Sequence, residues 1–331
     1  MSGPILLETA DLRVAVDPEV GGTVTSIIHK AHGLSVLGTV PWATRSGPAE
    51  TIAAPDENAW LPYYTGGWPI LFPNGGDACT FDGVFHGFHG EASLAAWAVE
   101  RTAEGLRLHR RFSTVPVEMV RDFILDGDAI TIRERVTLHG DRPVDVMWGH
   151  HPTFGSDLLA APFEIGTRAR RLVVDDRFDP PLNPLQPGAT AGWPEVPGKS
   201  GAYRLDRPRG PATAMAYLLD FETPSAWIRR LDDAIAVHLT WDGTVFPCAW
   251  LWCELEGTQD PPWAGKTRLL AIEPNTTWPG NGLADTRRRG GRLLTLVPNK
   301  KVETWIRLRV FQPDPEGGAP DFRAVRRKAG V

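Results

Sequence analysis

Hydrophobic side chains recur at every second position along much of the chain. Ile130, Ile132, Val136 and Leu138 alternate with Thr131, Arg133, Arg135 and Thr137. Ile235, Val237, Leu239 and Trp241 alternate with Ala236, His238 and Thr240, and Ile306, Leu308 and Val310 with Trp305, Arg307 and Arg309. A period of two marks a strand with one buried face. Leu12–Val16 and Leu106–His109 read the same way. No stretch keeps helical spacing for three turns. Short helices are expected only around Ala92–Trp97 and Ala324–Lys328.

Turn-forming residues punctuate these runs: Pro18-Glu-Val-Gly-Gly22, Leu125-Asp-Gly-Asp128, His139-Gly-Asp-Arg-Pro143 and Asp242-Gly243. Such punctuation suits antiparallel strands joined by hairpins and loops. The longest irregular region, Asp175–Gly201, holds six prolines. It reads as an interdomain linker or as an ordered surface loop, and strand patterns of one kind on both sides favour the loop. The pattern predicts an all-β chain, with residues 1–331 forming one domain. The segment after Pro313 turns basic (Arg323, Arg326, Arg327, Lys328) and is expected to fray or pack lightly.

Composition narrows the function classes. The chain has 331 residues, enough to bury a core without metal or disulfide staples. Its net charge of −5 gives no basic excess for nucleic acid or an anionic membrane. The cysteines, Cys79, Cys248 and Cys253, are odd in number and include no Cys-x-x-Cys pair. That argues against a disulfide framework and a thiolate zinc site. The opening residues lack a signal-peptide layout, and no apolar run is long enough to span a bilayer. The expectation is a cytoplasmic protein.

Three segments carry candidate chemistry. Gly66-Gly-Trp-Pro-Ile-Leu-Phe-Pro-Asn-Gly-Gly-Asp77 precedes Phe85-His-Gly-Phe-His-Gly-Glu91, which combines flexible backbone, aromatic faces, two histidines and a carboxylate. Trp148-Gly-His-His-Pro-Thr-Phe154 is the second. In the third, Ala271-Ile-Glu-Pro-Asn-Thr-Thr-Trp-Pro-Gly-Asn281, Glu273 ends a strand-like run and meets a loop.

Together these segments resemble the aldose 1-epimerases of the galactose mutarotase-like superfamily. The resemblance starts with Leu12–Ile27, a strand, Gly-Gly turn and strand. It continues with Phe72-Pro-Asn74, a His-Gly motif ahead of Trp97, and His151-Pro-Thr-Phe154. It ends with Ala271-Ile-Glu-Pro274 and a closing strand over 302–311. Order and rough spacing agree over nearly the whole chain. The resemblance implies a large antiparallel β-sandwich, the galactose mutarotase-like supersandwich. It implies Glu273 as general base and His151 as general acid, with a further histidine holding the sugar. That histidine is His89 or His86, with His89 slightly favoured by its spacing to Trp97. Mutarotation opens a cyclic hemiacetal and recloses it on the other face by proton transfers to and from its oxygens, so a carboxylate and an imidazole suffice and no cofactor or metal is expected.

The sugar-binding set expected around them is Asn74, Glu91 and one or more of Trp68, Trp148 and Trp278, with Asp220 as a guess at the family's sugar-binding aspartate. Three departures stand out. Asn74 is followed by Gly75 rather than arginine, Glu91 stands where a hexose-6-phosphate branch would have arginine, and Thr153 replaces a tyrosine. A lost arginine and a gained carboxylate point to an unphosphorylated sugar, because negative charges repel phosphate. The implied partner is a small-molecule carbohydrate, not nucleic acid or membrane.

Plainer readings accompany these. The tryptophans are mostly core, and one of the pair His150 and His151 caps a loop. His29, His32, His109, His139 and His238 are structural or solvated. Two other functions stay open: a non-catalytic carbohydrate-binding protein, and a metal-dependent sugar isomerase using His86, His89, Glu91 and His151.

Overall fold

The structure, a computed structural model, describes residues 3–313. The basic segment and the short helix expected at Ala324–Lys328 lie outside the described residues. The period-two segments form strands at Leu12–Asp17, Gly105–Arg111, Ala129–Leu138, Ala236–Trp241 and Lys301–Phe311. Around Ala92–Trp97 there is only a 3-10 turn, Glu91–Ser93.

Most strands join one 14-stranded antiparallel sheet. Its spatial order begins with Ile70–Leu71, Gly149–His150, Arg268–Asn275, Cys248–Leu255 and Ala212–Arg230. It continues through Ala236–Trp241, Lys301–Phe311, Ala129–Leu138, Val117–Asp126, Gly105–Arg111 and Ala98–Thr102. Alternation sets the register, with Ile132 opposite both Phe123 and Ile306. A four-stranded sheet, Ile5–Glu8, Leu12–Asp17, Thr23–His29 and Leu34–Ser35, lies against it. Leu12, Val14, Val24 and Ile27 of the small sheet share a core with Leu106, Leu108, Phe123 and Ile130 of the large one. Each such side chain stabilises the sandwich by about 1.5–3 kcal/mol.

The 19-residue strand Ala212–Arg230 forms the corner. Its first half pairs with Cys248–Leu255 and its second half with Ala236–Trp241. Along its other edge runs Phe163–Val174, with Leu172 opposite Leu218 and Ile165 opposite Ile228. Residues 175–201 are therefore an excursion between two paired strands. The excursion is ordered, with short strands at Thr190–Ala191 and Glu195–Gly198.

One polar group crosses the core. Arg121 and Glu134, both fully buried, pair at 2.7 Å between adjacent strands. Arg121 also donates to the carbonyl of Gly22 at 2.9 Å. The second oxygen of Glu134 accepts from the Trp148 indole at 3.1 Å and pairs with His150 Nε2 at 3.0 Å. The Trp68 indole donates to His150 Nδ1 at 3.2 Å, which leaves the imidazole proton on Nε2, facing Glu134. Burial works to raise the Glu134 carboxyl, but His150 and Arg121 beside it override that and hold it at about 2.

Glu134 therefore binds a proton less readily folded, at about 2, than at its ordinary 4.5. Its contribution to stability is complete above the ordinary value and fades as pH falls toward the folded value. Glu134→Gln is expected to lose about 3–5 kcal/mol of unfolding free energy at neutral pH, because Arg121 would be left uncompensated. In urea titrations its deficit against the parent should shrink as pH falls from 4.5 to 2. A deficit independent of pH would count against the buried pair.

Candidate functional site

Strand alternation creates a second face opposite the main core. In Arg268–Asn275, Leu270 and Ile272 enter the main core, while Leu269, Ala271 and Glu273 point the other way. In Cys248–Leu255, Ala249, Leu251 and Cys253 face the core, so Trp250, Trp252 and Glu254 share the face of Glu273. The register sets Trp250 opposite Glu273 and Trp252 opposite Ala271. Two smaller apolar clusters cover this face. One holds Trp60, Tyr63, Tyr64, Trp263 and Leu269, with Trp252 against it. The other holds Leu71, Met147, Tyr217, Trp250 and Leu283. Glu273 stands where the two meet.

His151 reaches the same place from the neighbouring segment. Its backbone N–H donates to the Pro69 carbonyl at 3.0 Å. Nδ1 of His151 lies 2.8 Å from Oε2 of Glu273. The contact is close but lacks hydrogen-bond geometry, so these two buried polar atoms have no hydrogen-bond partner. Buried polar atoms left this way are rare and call for an explanation.

His89 completes the group, its ring centroid 5.7 Å from that of His151. It sits at φ 58°, a left-handed conformation costing roughly 1–3 kcal/mol for a side chain of this size. The bend turns its Nδ1 toward the Gly76 N–H, which donates at 3.1 Å. Gly76 must be glycine, since its φ is 77° and a Cβ would run into the Gly280 carbonyl. With Nδ1 accepting, the proton of His89 sits on Nε2. Burial, helped by the nearby His151, pushes the His89 pKa well below its ordinary value. His89 is thus a neutral, pre-aimed N–H donor.

The structure brings together Glu273, His151 and His89, and it separates the other residues singled out from the sequence. His86 is buried in the hairpin strand Val84–His86, and no ring contact joins it to His89 or His151 among the described residues. Glu91 is saturated. Its two oxygens take the backbone N–H groups of Ser113 and Thr114, both of their hydroxyls, and Arg110. It pins the turn leading into strand Val117–Asp126 and has no acceptor free for a sugar. Asn74 donates to the Asp77 and Gly87 carbonyls and accepts from the Leu283 N–H, so it knits loops together. Trp68 and Trp148 are fully buried on the core side, at His150 and Glu134. Trp278 packs on Tyr217 under Arg171. Asp220 is exposed on the corner strand and pairs with Arg171 at 2.7 Å. His150 is no loop cap but part of the buried ion network. With Glu91 committed elsewhere, the four-residue metal constellation is not assembled. Among the described residues no three His, Cys, Asp or Glu side chains group to hold a metal.

Sequence reasoning passed over the side chains that do surround the trio. Trp252 tilts over His151 at 5.8 Å. Trp60 meets His89 edge-on at 4.9 Å and stacks on Tyr64 at 4.6 Å, and Tyr64 meets His151 edge-on at 6.0 Å. The signal for Trp252 was present, since Trp250, Trp252 and Glu254 form the alternate face of a strand paired with Glu273. Trp60 and Tyr64 carried only a four-residue spacing. Nearby charge is negative. Glu57 is solvent-exposed, and partial desolvation, then Asp77 and Glu254, pushes its carboxyl up. Among the described residues no arginine or lysine forms an ion pair with Glu273.

No family model and no curated protein sequence matches the chain. Solved structures do match its fold. A protein of Synechocystis sp. PCC 6803 superposes with a TM-score of 0.68 at 19% identity, covering 95% of this chain and 97% of that one. A galactose mutarotase-like protein from Lactobacillus casei gives 0.62 at 17%, covering 93% and 100%. The GalM/aldose epimerase homologue from C. elegans gives 0.62 at 16%, covering 95% and 100%. Among the described residues no helix is long and apolar enough to cross a membrane.

Two outcomes follow from the geometry. Glu91→Gln should lower unfolding free energy by about 2–4 kcal/mol through loss of charge-assisted hydrogen bonds. Unchanged stability in a urea titration would count against this structural role. In nitrogen-15 NMR, His89 should stay neutral with its proton on Nε2 across about pH 6 to 8. A midpoint at or above the ordinary 6.5 would contradict its placement.

Proposed function

We propose that this chain, which has the galactose mutarotase-like fold, is an aldose 1-epimerase-like enzyme. It interconverts the anomers of a free, unphosphorylated sugar. The observation that supports this most is the buried Glu273–His151 contact, with Oε2 and Nδ1 2.8 Å apart.

Mutarotation needs an acid and a base close together, because both act on oxygens bonded to one carbon. Glu273, as carboxylate, takes the proton of the anomeric hydroxyl. His151, as imidazolium, gives a proton to the ring oxygen. The bond between anomeric carbon and ring oxygen breaks, and the anomeric carbon becomes an aldehyde. Rotation about the adjoining carbon–carbon bond presents the other face. The ring oxygen, now a hydroxyl, returns its proton to His151 and attacks, while Glu273 reprotonates the former carbonyl oxygen. Protons and electron pairs balance with no cofactor. The Nδ1 edge of His151 is turned to Glu273, which leaves Nε2 for the ring oxygen. His89 donates its Nε2–H to a sugar oxygen, and half-buried Trp252 offers a flat face to sugar C–H groups.

Two features support a neutral substrate. No arginine or lysine pairs with Glu273 among the described residues, and Glu57, Asp77 and Glu254 lie near one another. A phosphate there would meet three carboxylates, of which Asp77 has Arg177 nearby.

Saturation-transfer NMR across a panel of aldoses, with one hexose 6-phosphate included, tests this directly. The parent protein should accelerate anomer exchange for at least one free sugar. Glu273→Gln and His151→Asn should each lose about 10²–10⁴-fold in kcat. Turnover of the phosphate alone would overturn the neutral-sugar assignment. Sugar binding by folded protein without acceleration would favour a carbohydrate-binding protein instead.

A further inference from the structure

Tyr64 stands outside every segment that the sequence singles out, yet its hydroxyl ends in the His151 segment. It lies 2.8 Å from Thr153 Oγ1, and Thr153 Oγ1 donates to the His151 carbonyl at 3.3 Å. With the Thr153 proton on that carbonyl, the Tyr64 hydroxyl is the donor to Thr153. The two hydroxyls thus form a chain from Tyr64 through Thr153 to the backbone of His151. All three residues are buried. The Tyr64 ring also meets the His151 imidazole edge-on and stacks on Trp60, whose other edge touches His89. One short segment, the helical turn Glu57–Trp60 and the 3-10 turn Leu61–Tyr63 that follows, thus supports both imidazoles. Thr153 stands where the resemblance expects a tyrosine, and a phenol reaches that position from this segment.

We propose that Tyr64, acting through the Thr153 hydroxyl, is a positioning residue that holds the His151 imidazole at its working distance from Glu273. Trp60 does the same for His89 by packing alone. Tyr64 touches no reacting atom in this scheme. Burial keeps its phenol protonated throughout the neutral range, so it remains a donor. The inference rests on the mutarotase reading for its effect on rate, but not for its effect on His151 itself.

The experiment combines anomer-exchange kinetics with nitrogen-15 NMR titration of His151 in Tyr64→Phe, Thr153→Val, Thr153→Ser and the Tyr64→Phe/Thr153→Val double variant. Tyr64→Phe and Thr153→Val should each lower kcat about tenfold with KM little changed, since small misplacement of a reacting group is costly. Both should shift the His151 titration. The double variant should be no worse than either single one, because the two hydroxyls act in series. Thr153→Ser, which keeps the hydroxyl, should retain at least about half of the parent kcat. Additive losses in kcat, or lower stability with unchanged kcat and His151 titration, would reduce Tyr64 to packing and overturn the proposal. If Tyr64→Phe does not fold, the valine–serine contrast at Thr153 decides alone. If the parent turns over no sugar, the proposed function fails, and the His151 titrations still decide for or against the brace.

Discussion

The fully buried ion pair between Arg121 and Glu134 governs the rest of the molecule. Two charges removed from water must be matched by protein, and here the matches come from several parts of the chain. The Gly21–Gly22 turn supplies carbonyls to Arg121, Trp148 and His150 serve Glu134, and Trp68 holds the far side of His150. An apolar core tolerates small slips. This network does not, because a shift would strand a charge. It therefore fixes where residues 148–151 cross the sheet. With His150 committed to the core, His151 must emerge on the opposite face, beside Glu273.

The candidate site follows from that division of faces. One side of the sheet spends its alternate positions on the main core. The other is covered by two separate apolar clusters with Glu273 at their junction. Residues near the site either stiffen it or complete it. Asn74 and Glu91 use their polar atoms on loops and turns, while His89 has one nitrogen fixed by Gly76 and the other unspent. The left-handed backbone at His89 is local strain, held in place by the surrounding packing.

Much of the architecture was legible because a period of two survives in the sequence wherever one face is buried. The strands at 129–138, 236–241 and 301–311 show it plainly. Glu273 and His151 were singled out through ordered motifs, and the folded chain sets them side by side. Trp148 shows why the rest was harder. It was grouped with His151 by proximity, but the two lie three positions apart, an odd step, and Trp148 shares its core face with His150 instead. Parity along the strand, not nearness in sequence, decides which face a side chain serves. Glu91 fails for another reason. Its partners, Ser113 and Thr114, lie over twenty residues away in a turn with no visible signature. The aromatic support from Trp60 and Tyr64 was equally hidden, since only the folded chain brings that turn to the histidines.

The strand Lys301–Phe311 lies between Ala129–Leu138 and Ala236–Trp241 although it follows both in the chain. During synthesis the two flanking strands leave the ribosome first and cannot pair with each other in the native order. Each keeps a hydrogen-bonding edge unfilled until residue 311 has emerged. The sheet is thus closed from within by a late arrival, a sequence of events dominated by distant contacts and correspondingly slow. A nascent chain halted before that strand would hold two open edges, suited to pairing with other chains.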